Sequence, residues 1–173
     1  MKNYNKKDYK ICIVGLGYVG LPLAARFSLK GFDVTGFDIK EERINQLKNQ
    51  IDINNDISDE NLETLVKNSK LTSNIDKIRG SNIFIITVPT PINKDKSPDL
   101  KPLIASSELV GAIIKKESIV IYESTVYPGV TDEVCTPILE KKSGLIFNKE
   151  FSTGYSPERI VPGDKINTIE KIK

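Results

Sequence analysis

Apolar residues come in short unbroken runs, separated by longer stretches in which they recur every three or four positions. The runs are "KICIVG" (10–15), "DVTGFD" (33–38), "NIFIITVP" (82–89), "SIVIYE" (118–123) and "FSTGY" (151–155). The stretches at 18–30, 41–49, about 101–115 and about 130–141 have helical period. That alternation predicts an α/β fold, a Rossmann-like, doubly wound and mainly parallel sheet with helices on both faces. Strands covered on both faces read as continuous apolar runs, as these do. A weaker strand, "KLTSN" (70–74), is expected as a further member, after a polar helix near 59–68. The acidic stretch 49–63 reads as a loop entering that helix, because Ser58 followed by Asp59 and Glu60 has the form of an N-cap with acidic residues in the first turn.

Composition narrows the class without changing the picture. The 173 residues suit one main domain, expected to span 1–173. With 39% apolar residues, 28% charged residues and a net charge of +2, the balance is that of a globular protein in water, with nothing pointing to nucleic acid. No run reaches the ~20 apolar residues of a membrane helix. The basic start "MKNYNKKDYK" is followed by an apolar stretch that Gly15, Gly17 and Gly20 break at once, so it does not read as a signal peptide. Two cysteines, Cys12 in an expected strand and Cys135 in an expected helix, form no disulfide framework, and a cytoplasmic protein is expected. The absence of histidine removes histidine-based catalysis and most zinc sites from this chain, and no metal site is expected.

The chemistry begins at residues 15–20, "GLGYVG", directly after one expected strand and directly before one expected helix. There Gly15 permits the tight turn, Gly17 lets backbone approach a pyrophosphate, and Gly20 allows close packing of helix on strand. The helix start offers N–H groups and a positive dipole end to phosphates. Pro22 is tolerated in the first turn, where its missing N–H costs little. Asp38 closes the second run, 18 residues after Gly20, where a dinucleotide site needs a carboxylate for the adenosine ribose. Such a carboxylate repels a 2′-phosphate and favours NAD over NADP, although Lys40 and Arg43 stand close by. The plainer readings are a glycine turn and a solvated aspartate.

Ligands of such sheets sit at the carboxyl ends of the strands. After the 82–89 run, Pro89 and Pro91 fix the backbone around Thr90, which is either a cofactor contact or part of a rigid turn. After the 118–123 run come Glu123, Ser124 and Thr125; the Thr125 hydroxyl is either a helix cap or a group that holds water or a substrate oxygen, which Glu123 could tune. After the 151–155 run, Glu158 and Arg159 reach the same rim. The stretch 156–173 reads as loop with no closing helix, which is what a piece of a longer protein would show.

"KICIVGLGYVGLPLAARF", "GFDIKEERI", "VPTP", "YESTVYPG" and "YSPERIVPGD" resemble, in order, the N-terminal motifs of the UDP-glucose/GDP-mannose dehydrogenase family. The last two resemble the branch acting on UDP-N-acetylhexosamines, such as the UDP-N-acetylglucosamine 6-dehydrogenases of capsule and O-antigen synthesis. Relative to the UDP-glucose branch, the glutamate of "PE" is kept as Glu158 and a second glutamate is replaced by Pro162. The resemblance implies an NAD-dependent, four-electron oxidation of a UDP-sugar C6 alcohol to a carboxylate. A cysteine captures the aldehyde, and the resulting thioester is hydrolysed. It implies that Gly15, Gly17, Tyr18, Val19, Gly20, Asp38, Arg43, Thr90 and Thr125 surround NAD, and that Thr125 and Glu158 hold or activate water and substrate near C6. It also implies a later "GxCxxKD"-like motif for the nucleophile, which this sequence lacks, a UDP-sugar site completed elsewhere, and a homodimeric full-length protein. By itself the chain is then expected to bind NAD without turnover. Other expectations stay open: the cofactor domain of another NAD-linked hydroxy-acid dehydrogenase, and a stand-alone nucleotide-binding module.

Overall fold

A computed structural model describes residues 5–157. Its centre is a six-stranded sheet in the order β3-β2-β1-β4-β5-β6, with every neighbouring pair parallel. The strands are β1 (Lys10–Val14), β2 (Asp33–Phe37), β3 (Lys70–Thr72), β4 (Ile83–Ile86), β5 (Ser118–Tyr122) and β6 (Phe151–Tyr155). The chain starts in the middle, at β1, winds outward to β3, returns to β4 on the other side of β1, and winds outward again. The reversal lies between β1 and β4, where the strand order leaves a crevice at the carboxyl ends.

Among the described residues, five α-helices cover the sheet: α1 (Gly20–Leu29), α2 (Glu41–Lys48), α3 (Asp59–Asn68), α4 (Lys101–Gly111) and α5 (Thr136–Ser143). Successive strand residues point to opposite faces, so β1 feeds two cores. Ile11 and Ile13 join Leu21, Ala24, Val34, Leu62 and Leu65 in one. Cys12 and Val14 join Phe84, Ile86, Leu103, Val110, Tyr122 and Leu139 in the other. Burial on both faces is why these strands read as unbroken apolar runs. Ser58 caps α3 as its sequence suggests, its hydroxyl accepting the Asn61 N–H at 3.4 Å.

Two expected elements differ. The strand read at 82–89 ends at Ile86, because the following residues turn away from the ladder to build the rim. The helix read at 130–141 opens as one π-helical turn, Val130–Cys135, before α5. Pro137 has no N–H for the Glu133 carbonyl, so the regular ladder cannot cross it. The Thr136 N–H and its hydroxyl instead both donate to the Thr131 carbonyl, the hydroxyl at 2.9 Å. Among the described residues, no helix is long and apolar enough to cross a membrane.

Candidate functional site

The carboxyl ends of β1, β2, β4 and β5 open into a cavity of about 900 Å³, the upper range for a small-molecule site. Its floor is the turn from β1 into α1. Gly15 has φ +98°, a conformation that side chains oppose, and donates its N–H to the Phe37 carbonyl at 2.8 Å. A Cβ on Gly20 would overlap the Gly15 carbonyl oxygen and lie 2.5 Å from Thr87 Oγ1, so helix and turn can meet only at a glycine. Gly17 is different: an added Cβ would meet nothing within 4 Å. It lines open cavity, with the space that a phosphate group needs. Val19 precedes α1 and no side chain caps this helix start. The Leu21 N–H turns back to the Gly17 carbonyl at 2.9 Å and Pro22 has none, so the turn itself and the positive end of the helix are what face a ligand. Tyr18, 39% exposed, and Val19 line the mouth.

Asp38 leaves β2 on the same rim. Its Oδ2 accepts the Leu16 N–H and its Oδ1 the Lys40 N–H, each at 2.9 Å, so the carboxylate is locked between the glycine turn and the approach to α2. An ionised carboxylate has about four acceptor positions, and two remain for hydroxyl donors. Arg43, one turn into α2, lines the same wall, but its guanidinium is directed inward. Nε donates to the Leu16 carbonyl at 3.0 Å, and Nη1 to Asp52 Oδ1 at 3.0 Å.

The opposite end is built from the β4 and β5 termini, stitched by hydroxyls. Thr87, buried, donates to the Gly15 carbonyl at 2.7 Å and reaches the Val14 carbonyl at 3.2 Å. Ser124, buried, donates to the Val88 carbonyl at 2.8 Å. Thr90 donates to the Thr125 carbonyl at 2.7 Å, so it lines the cavity and also ties the two rim loops together. Thr125 is exposed and lines the cavity. The helix-cap reading of Thr125 fails: the cap position of the next helical turn is Gly129, at φ +96°. Glu123 lines the wall beside it. Glu158, expected on this rim, lies outside the described residues, as do Arg159 and Pro162.

Neither cysteine reaches the cavity. Burial pushes the Cys12 thiol far above its ordinary range, and burial likewise raises Cys135, which sits beside the Tyr122 and Ser107 hydroxyls. Both are core residues with little thiolate to offer. Sequence reading passed over Thr87, Asp52 and Asp56. Thr87 sits inside an apolar run, where only its place just past the last ladder residue could have marked it. The two aspartates sit in a stretch that reads as polar loop.

A family model, described as the UDP-glucose/GDP-mannose dehydrogenase family, NAD binding domain, matches residues 9–172. A UDP-N-acetyl-D-glucosamine 6-dehydrogenase of Salmonella typhi is 54% identical over 166 residues, covering 96% of this chain and 39% of the relative. Protein CapL of Staphylococcus aureus is 52% identical over 162 residues, covering 94% of this chain and 38% of the relative. Among solved structures, UDP-D-ManNAc dehydrogenase from Pyrococcus horikoshii matches with a TM-score of 0.84 at 34% identity, over 93% of this chain and 38% of that one. A ternary complex of GDP-mannose dehydrogenase from Pseudomonas aeruginosa matches with a TM-score of 0.83 at 26% identity, over 93% and 38%. The chain thus spans about two fifths of the length of the relatives it matches.

Proposed function

Because the chain belongs to the UDP-glucose/GDP-mannose dehydrogenase family, as its NAD-binding domain, we propose that it holds NAD for oxidation of a UDP-N-acetylhexosamine at C6, from alcohol to carboxylate, in surface-polysaccharide synthesis. The observation that carries this reading is the cavity floor: a positive-φ glycine, an unobstructed glycine and an uncapped helix start, with a locked carboxylate one strand away. These residues fit a dinucleotide. The positive end of α1 and the open backbone at Gly17 receive the pyrophosphate, and Asp38 accepts the adenosine ribose hydroxyls. NAD supplies the hydride acceptor at the far end of the cavity.

That far end is where Thr90 and Thr125 lie, and in this reading Thr125 holds a water or a substrate oxygen close to C6. Its loop is fixed for the purpose by the Thr90 and Ser124 hydrogen bonds, which reduce the motion that would otherwise misplace the hydroxyl. Glu158 is proposed as the carboxylate that takes the proton of the hydrolytic water. Cys12 and Cys135 are both buried away from the cavity, so the thiol that captures the aldehyde comes from outside this sequence. Two unpaired buried thiols also suit a reducing cytoplasm. In this reading the chain is a single NAD-binding domain.

Titration calorimetry of this chain with NAD tests the cofactor role. NADH formation by a longer polypeptide carrying this domain, across a panel of UDP-sugars, tests the reaction. The expected result is NAD binding, with two NADH formed per UDP-N-acetylhexosamine. Preference for NADP, or no response to any nucleotide sugar, overturns the proposal.

A further inference from the structure

The adenosine end of the cavity is lined by two cations, Lys40 and Arg43, just beyond the carboxylate of Asp38. A cation at this place in the fold is well placed to receive a ribose 2′-phosphate. Arg43 is nevertheless engaged on three sides. Nε donates to the Leu16 carbonyl, Nη1 pairs with Asp52 Oδ1 at 3.0 Å, and Nη2 lies 3.6 Å from Asp56 Oδ2. The three side chains are only 12%, 5% and 11% exposed, which places the charges where water screens them little.

The loop following α2 is organised to deliver those carboxylates. Asp52 Oδ2 accepts the backbone N–H of Asp56 at 2.6 Å and that of Ile57 at 3.3 Å, leaving Oδ1 for the guanidinium. Asp56 is steadied by Asn54, whose side-chain amide donates to it at 3.2 Å. Two carboxylates therefore face one guanidinium from behind the wall, and Asp38 and Glu42 line the wall itself. With Arg43 offset by Asp52 and Asp56, Asp38 and Glu42 face the cavity against Lys40 alone. Nη2 of Arg43 is buried, with Asp56 as its ion-pair partner and no closer acceptor, so it is not presented to the cavity.

We propose that Asp52 and Asp56 determine cofactor choice through Arg43: by occupying its guanidinium they withhold it from a 2′-phosphate, and they exclude NADP alongside Asp38. Exclusion then rests on a clamp of three aspartates, of which only Asp38 faces the ribose directly. The inference rests on the NAD reading above, and it assigns Asp52 and Asp56 as positioning residues that need no contact with the cofactor. Discrimination of this kind comes from denying the wrong ligand its partner as much as from binding the right one.

The test measures dissociation constants for NAD and NADP by titration calorimetry on the full 173-residue chain and on the D56N, D52N and D56E variants, with melting curves for each. D56N removes one charge and is expected to tighten NADP about tenfold while changing NAD less than about twofold, the size of effect one nearby charge exerts at a partly buried site. D52N is expected to move the ratio in the same direction, and D56E to restore it. If NADP fails to tighten relative to NAD in D56N, or if both cofactors weaken together with the ratio unchanged, the clamp is merely structural and the inference falls. D56N carries that decision even where D52N folds poorly, because the backbone bonds of the loop end on Asp52. A parent chain that binds no NAD overturns the functional reading itself, and the inference with it; a parent that binds NAD with an unmoved ratio overturns the inference alone.

Discussion

Replacing Gly20 with alanine should separate the role of the glycine turn in folding from its role in binding. The new Cβ would overlap the Gly15 carbonyl oxygen, a backbone atom, and would sit 2.5 Å from Thr87 Oγ1. Neither neighbour can yield freely. Gly15 is pinned by its N–H bond to Phe37, and the Thr87 hydroxyl is committed to the carbonyls of Gly15 and Val14. Overpacking of this kind costs about 1–3 kcal/mol. Displacing Thr87 from Gly15 adds about 1 kcal/mol for the lost hydrogen bond. The sum, about 2–4 kcal/mol, corresponds to a fall in melting temperature of roughly 4–16 °C for a domain of this size. Gly17→Ala is the matched control, because its Cβ would meet no atom within 4 Å. It should melt within about 2 °C of the parent, yet lose NAD affinity by about tenfold or more, since the methyl occupies the space a phosphate enters. Circular-dichroism melts and NAD titrations on the two variants decide the matter. If Gly17→Ala melts as low as Gly20→Ala, or binds NAD as the parent does, the division of labour between these glycines is wrong.

Thr87→Val keeps the shape but leaves the Gly15 carbonyl without its donor, while the Val14 carbonyl keeps the Thr87 backbone N–H at 2.9 Å. It should lower the urea midpoint by an amount equivalent to about 1–3 kcal/mol with the m-value unchanged, and weaken NAD because the turn beneath the cofactor loosens. Tyr122→Phe removes a buried hydroxyl that donates to Ser107, whose own proton goes to the Leu103 carbonyl; the expected loss is about 1 kcal/mol with NAD affinity unchanged, since Tyr122 does not line the cavity. Burial holds the Asp56 carboxyl above the ordinary aspartate range, against the smaller opposing effects of Asn54 and Arg43. A group raised in the folded state contributes stability that is full below its unfolded value and lost as pH rises through its folded one. The melting temperature of D56N relative to the parent should therefore rise between pH 3 and pH 7, and a fall over that interval would contradict the assignment.

The glycine turn, the carboxylate of Asp38 and the doubly wound sheet were legible along the chain because each is set by neighbours a few residues apart. Strand periodicity, a tight turn and a helix start are local, and the spacing from Gly20 to Asp38 is one strand and one helix of fixed length. The rim was legible only as a set of candidates. Thr90 and Thr125 were visible as residues past strand ends, but that one donates to the backbone of the other follows from β4 and β5 lying side by side. Thr125 reads locally as a helix cap, and only the folded turn at Gly129 removes that choice. Arg43 reads as a cation available to a phosphate, whereas the tertiary fold returns the loop after α2 to its side and neutralises it with Asp52 and Asp56. Local sequence determined where the backbone could bend and bury itself. The tertiary structure decided which polar groups were left free for a ligand, because a side chain's hydrogen bonds and electrostatic environment depend on residues that the sequence keeps apart and only the sheet brings together.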